Sequence, residues 1–308
     1  MTTRFLRNRA ILAKIEATYG TDAAPTGAAN AMQMTNVTFT PLAGEEVSRD
    51  LVVPYMGHQG VFLVGSYATL SGEVEIAGAG AAGDVPAWGV LHRMCGMAEV
   101  ITEDVDVRYT PVSAGFESGS IYFNMDRVNH VLLGVRGTYT INLTPKQIPR
   151  FAYTFTGLLG TITDTALPAV SLSKFVKPVP VSKANTTFAL HGYAGACEGL
   201  TMDLANQIEP RFLIGAENIQ QVDRMMTGQA VMEATALSEI DWFTKAEAHE
   251  VGALAAQHGK VAGNRVAFSA DAVQVGRVTY GDSQKIINNT LPLMFTTEGS
   301  DEFTTIVS

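Results

Sequence analysis

Two runs of strict alternation dominate the middle of the chain. Tyr139, Ile141 and Leu143 alternate with Thr138, Thr140, Asn142 and Thr144, and then Phe151, Tyr153 and Phe155 alternate with Ala152, Thr154 and Thr156. A period of two, carried by aromatic and β-branched residues, predicts successive strands of an antiparallel sheet with one buried face. The same period starts at Met34, Val37 and Phe39, set among Thr35, Thr38 and Thr40. It returns at residues 61–64 and 69–76, where Leu70, Val74 and Ile76 alternate with Ser71, Glu73 and Glu75, with a phase wobble at Gly72. Residues 121–124 and 131–133 flank Met125-Asp-Arg-Val-Asn, a hairpin signal. Residues 9–19, with Ile11, Leu12 and Ile15 on one face, predict a short helix. Residues 20–29 are turn-rich and small, so loop-like. Residues 99–109 form a polar stretch without a strong period.

The order of elements then recurs. Residues 160–183 are rich in Pro, Ser and Thr, and Pro168, Pro178 and Pro180 mark a boundary. Beyond it, Leu200-Thr-Met-Asp-Leu echoes Val37-Thr-Phe-Thr-Pro. Leu291-Pro-Leu-Met-Phe occupies the place of Phe151-Ala-Tyr-Thr-Phe. Residues 228–236, 264–269 and 273–280 read as strands, and residues 241–257 as a helix containing Trp242. A shorter helix contains Trp88, so each half carries one Trp at the start of its internal helix. The expected fold is mainly β: two tandem β-sandwich domains, each with one flanking helix, plus an N-terminal arm. The divisions are an arm at 1–30, domains at 31–165 and 184–308, and a linker at 166–183. This is a degenerate internal duplication.

Composition narrows the function classes. Only 17% of the 308 residues are charged, against 46% hydrophobic, which suits a subunit whose surface is largely covered by neighbours. The formal net charge of −9 argues against a face that binds nucleic acid through phosphate neutralisation. No secretory signal and no apolar run long enough for a membrane span are visible, so the default compartment is cytosolic. Cys95 and Cys197 stand in no metal-ligand spacing and read as buried, reduced thiols.

Candidate chemistry centres on residues 68–96. Gly78, Gly80 and Gly83 match G-x-G-x-x-G between a strand and a helix, a pattern that can cradle a dinucleotide pyrophosphate. Three features oppose a nucleotide-dependent oxidoreductase. The strand carries Glu73 and Glu75 where a parallel central strand would be apolar. Asp84-Val-Pro86 separates the glycines from the helix and places a carboxylate where phosphates would lie. Glu99, the acid at the expected distance, follows no apolar second strand. The six histidines form no metal-ligand spacing, no G-x-S-x-G elbow is present, and His92 reads as a partly buried polar residue. The Met225-Met226 pair reads as core or interface filler. Glu73 and Glu75 share one strand face, which reads as a solvated sheet face rather than a catalytic pair. No cofactor is expected.

Lys14-Ile-Glu-Ala-Thr-Tyr-Gly-Thr-Asp-Ala-Ala-Pro-Thr-Gly resembles the N-terminal arm of the tail tube (major tail) proteins of long-tailed, siphovirus-like bacteriophages. Ala87-Trp-Gly-Val-Leu-His-Arg-Met-Cys-Gly, Gln147-Ile-Pro-Arg-Phe-Ala-Tyr-Thr-Phe-Thr-Gly, Ala184-Asn-Thr-Thr-Phe-Ala-Leu-His-Gly-Tyr and Ala262-Gly-Asn are similar to the same family. The resemblance implies a structural virion protein, not an enzyme: a β-sandwich with a helix on its flank, closing into stacked rings around a hollow conduit. Its implied partners are further copies of itself, the tape-measure protein, the tail tip and tail terminator proteins, and double-stranded DNA in passage; no membrane is implied. The location is the phage tail, after assembly in the host cytoplasm. Another virion ring component, a terminator or baseplate protein, is the alternative.

On this reading Glu73 and Glu75 face the lumen, and Trp88 and Trp242 anchor the two helices. Ile11, Ile15 and Tyr19 belong to an arm reaching an adjacent ring. The duplication predicts a homotrimeric, pseudo-sixfold ring, with a homohexamer as the rival.

Overall fold

The computed structural model describes residues 3–297 and 302–308. The first half contains β1 (Arg9–Ile15), the one-turn helix α1 (Gly27–Asn30), β2 (Ala31–Met32), β3 (Thr35–Ser48), β4 (Val61–Glu75) and α2 (Gly89–Met94). It continues through β5 (Met97–Thr102), β6 (Asp106–Pro111), β7 (Gly119–Met125), β8 (Val128–Leu143) and β9 (Arg150–Asp164). The second half contains β10 (Thr186–Leu190), β11 (Cys197–Asp203), β12 (Asn206–Leu213), β13 (Ala216–Arg224), β14 (Thr227–Glu233) and α3 (Trp242–Glu247). It closes with β15 (Val251–His258), β16 (Val266–Val275), β17 (Thr279–Ser283), β18 (Ile286–Phe295) and β19 (Thr304–Val307). The fold is thus mainly β, with large sheets, as the alternation implied.

The alternating strands behave as their pattern dictates. β8 and β9 pair antiparallel with Tyr139 opposite Tyr153 and Ile141 opposite Phe151. Their apolar residues point into the core, and Thr138, Thr140, Thr154 and Thr156 point away from it. β7 and β8 form the expected hairpin, closed by Asp126 and Arg127, both at positive φ as a type I′ turn requires.

One strand order recurs in the two halves. In the first it runs β3-β4-β9-β8-β7-β1. In the second it runs β11-β14-β18-β16-β15-β10, with β17 continuing the position of β16 along β18. A helix follows the second strand of each series, α2 after β4 and α3 after β14. The halves are joined by two ladders, β8 to β11 and β6 to β19 to β16. One hydrophobic core runs through both, and Phe151 of the first half meets Phe268 of the second edge to face at 6.1 Å.

Several expectations are overturned. Residues 9–15 form a strand, not a helix, because β1 fills the whole edge of β7 and buries Ala10, Ile11, Leu12 and Ala13. The second Trp helix ends at Glu247. Residues 251–258 leave it as β15, with Leu254, Ala256 and His258 inward, between β10 and β16. Ala253-Leu-Ala-Ala256 has high intrinsic helix propensity, but the tertiary ladder decides. Residues 61–75 form one strand, and the ladder of β4 to β9 runs through Gly72 without a shift. The polar stretch at 99–109 hides the hairpin β5–β6. Residues 166–183 carry no strand yet are held down: Val181 is buried and exchanges backbone hydrogen bonds with Lys146 and Gln147.

Candidate functional site

The inner sheet is the surface on which a function can be built. It runs continuously through both halves in the order β3-β4-β9-β8-β11-β14-β18-β17, antiparallel throughout. One face packs on the core through Leu70, Val74, Phe155, Met202, Ala230 and Leu291. The other is polar and rich in Thr, because its long strands alternate, and is open except at its end near Tyr67, where Phe212 of β12 stacks. Both end strands have a free edge: among the described residues β3 pairs only with β4, and β17 only with β18.

Glu73 and Glu75 lie on this polar face. Glu73 accepts hydrogen bonds from Arg150 at 2.9 Å and Asn36 at 3.0 Å, and Glu75 stands opposite Arg150 in the ladder. Arg150 therefore offsets part of the charge read from the sequence. Asp203 and Glu233 add carboxylates from the second half. The face remains net acidic and polar.

Trp88 and Trp242 are both buried under their helices. The Trp88 indole Nε1–H donates to the Ala77 carbonyl at 2.9 Å, and Trp242 packs against His191 and Tyr193. His92 is fully buried rather than partly so, ringed by Trp88, Tyr109, Tyr139 and Phe151. Its Nδ1 is hydrogen-bonded to the Tyr153 hydroxyl at 2.7 Å. Burial holds this imidazole well below its ordinary range, so it stays neutral. Burial likewise raises the Cys95 thiol and pushes Cys197, only half-buried, up to about 11. Met226 is core and Met225 is exposed.

The glycine run makes no cradle. Gly78 N–H donates to Asn264 Oδ1 and Gly80 N–H to the Gly263 carbonyl. A Cβ on Gly78 would sit 2.3 Å from that same carbonyl oxygen, and one on Gly83 would sit 2.4 Å from the Asp104 nitrogen. Gly78 and Gly80 let backbone meet backbone where the two halves touch, and Gly83 does the same against the β5–β6 turn within the first half. Among the described residues no group of three or more His, Cys, Asp or Glu is placed to hold a metal. Among the described residues no helix is long and apolar enough to cross a membrane.

The predicted arm residues do not project. Ile11 is in the core and Ile15 packs against it. Tyr19 is half-buried under Arg136, whose guanidinium lies 5.0 Å from the ring centroid, and the Ile219 N–H of the second half donates to the Tyr19 hydroxyl. Glu16, a buried carboxylate, accepts from Ser118, Ser120 and the N–H groups of Gly20 and Gly134. These bonds clamp residues 9–20 onto the fold. Among the described residues of the expected arm, only 3–8 precede the first strand, with Phe5 and Leu6 exposed; residues 1–2 lie outside the described residues.

The sequence reading missed the free edges of β3 and β17 and the seam between β8 and β11. The echo of Leu200 with the β3 segment was the one signal for them. A protein-family profile described as "Phage tail tube protein" matches residues 7–296. A comparison with individually curated proteins returns no match.

Proposed function

The chain belongs to the phage tail tube protein family, and from that premise we propose that it is a structural subunit closing into rings of three copies, stacked into a hollow tail tube. The observation that carries this reading is the continuous sheet of eight strands, four from each half, with one polar face and two free edges. Free edges of this length need covering, and closure into a barrel is one way to cover them. Three copies of eight strands make twenty-four. At about 4.8 Å between strands and a tilt of about 40°, they enclose a backbone cylinder roughly 48 Å across.

Such a cylinder has its polar, net acidic face inward. Carboxylates there repel phosphates, so a duplex passes without sticking. In this proposal the tube houses the tape-measure protein, conducts DNA on ejection, and meets tip and terminator proteins at its ends. It assembles in the host cytoplasm and resides in the virion tail. Residues 3–8, with exposed Phe5 and Leu6, are the proposed contact to an adjacent ring.

Electron microscopy of the concentrated protein tests the reading. Rings or tubes about 90–120 Å wide, the size expected of six units of about 150 residues around a channel, with threefold end views, are the expected result. Sixfold rings would replace the three-copy ring by a hexamer of chains. A monodisperse monomer at every concentration would overturn the assembly.

A further inference from the structure

Resting on the ring reading, the internal repeat specifies which edges meet. Within one chain the two halves join in the inner sheet at a single seam, β8 to β11, with Leu143 opposite Leu200 and Thr140 opposite Asp203. The recurring strand order makes β17 the equivalent of β8, and β3 the equivalent of β11. The equivalence extends to residues. Phe151 faces Val74 on one side and Ile141 on the other, and Leu291 faces Ala230. Laying Leu291 on Phe151 brings residues 277–280 onto 140–143, through the pairing of Thr279 with Thr290. On β3, Thr35 faces Glu73, and extending that register one residue past the strand's start sets Met34 beside Val74, as Leu200 stands beside Ala230.

Burial differs at these equivalent positions in the sense that a missing neighbour would produce. Leu143 and Leu200 are 4% and 2% exposed at the internal seam. Their equivalents are Tyr280, 68% exposed, and Met34, half-buried. Beside Tyr280, the side chains of Leu237, Phe243 and Ile287 line an open apolar hollow against α3.

A second layer repeats too. The ribbon β12–β13 continues from the internal seam and lies over the first half: Phe212 stacks on Tyr67 at 6.4 Å, and the Ile219 carbonyl accepts from Arg136 at 2.9 Å. Its equivalent is the outer part of the β3–β4 hairpin, residues 43–48 and 61–66. There Val47, Phe62 and Leu63 are exposed.

We propose that β17 of one copy pairs antiparallel with β3 of the next, Tyr280 opposite Met34 and Thr279 opposite Thr35. The outer β3–β4 hairpin of that next copy then lies over the apolar hollow beside α3. The occupant of both free edges is a second copy of this chain, in a heterologous contact that closes after three copies.

Paired cysteines test the register. Thr35→Cys with Thr279→Cys, in a Cys197→Ser background, is assembled and treated with diamide, which accepts the two thiol hydrogens. Facing residues of antiparallel strands place their Cβ atoms about 4.5–5.5 Å apart. The expected products are species of two and three linked chains, ending at three, at least tenfold more abundant than for Thr35→Cys with Ser283→Cys, displaced by about 13 Å along the strand. Asn142→Cys with Thr201→Cys, the equivalent pair at the internal seam, calibrates the geometry by closing within one chain. If rings form, the calibrating pair closes and the Thr35/Thr279 pair does not, the seam is overturned and the tube reading stands. If the unmodified chain forms no rings, the tube reading itself falls. Should the paired variant fold poorly, hydrogen exchange on the unmodified chain decides: the amides of residues 277–280 that point away from β18 gain at least tenfold protection on assembly, and unchanged exchange in assembled rings overturns the seam.

Discussion

Buried polar groups show what single residues contribute here. His92 sits neutral in an aromatic cage, its pKa held down by burial. In the unfolded chain the imidazole titrates near 6.5. Below that pH the unfolded state binds a proton that the folded state refuses, so stability is lost as pH falls. His130, His191 and His258 are shifted in the same direction by burial. Urea midpoints are therefore expected to drop between pH 6.5 and 5, and His92→Phe to make that drop shallower without abolishing it. An unchanged slope in the variant would remove His92 from the account. Sequence reading placed His92 on the helix and judged it non-catalytic in character, yet could not see full burial. That depends on Tyr109, Tyr139, Phe151 and Tyr153 converging from three strands.

At the scale of elements, strand pattern was legible along the long strands with one buried and one wet face, such as β8 and β9. It failed where both faces are covered, as in β1, and where small residues dominate, as in β15. The arm shows the consequence. Removing residues 1–26 would strip β1 from the edge of β7 and delete the Glu16 clamp, so the truncated chain is expected to be insoluble or molten. Removing residues 1–8 cuts before the first strand and is expected to leave the circular dichroism and melting temperature close to those of the full chain, while weakening ring stacking. The glycine loop is a second test. Gly263 has φ +81°, and a Cβ there would lie 2.4 Å from the Gly80 carbonyl oxygen. Gly263→Ala is expected to cost about 1–3 kcal/mol, read as a lower denaturation midpoint, while Gly192→Ala, strained in φ but in open space, costs less.

For the whole molecule, the two halves are repeats in order but not independent in energy. They share one core, two ladders and the hydrogen bond that the Arg224 guanidinium donates to the Val112 carbonyl at 2.9 Å. Calorimetry is expected to show one cooperative transition with van't Hoff and calorimetric enthalpies in agreement. Two resolved transitions would mean that the halves fold separately. Residues 1–183 alone would expose Leu143 at the β8 edge, and are expected to aggregate or self-pair rather than remain monomeric.

The sequence by itself determined the class of fold, the alternating strands, the placement of both tryptophans and the recurrence of elements. Each is set by local chemistry: side-chain period, turn residues, and the bulk of an indole that must be buried. Only the tertiary structure decided that β1 and β15 are strands, that the glycine run is a backbone contact between halves, and that Arg150 offsets Glu73. It alone showed that four strands from each half merge into one sheet with two open edges. Those outcomes depend on partners distant in the chain, and the pattern of a segment does not name the segment it will lie beside.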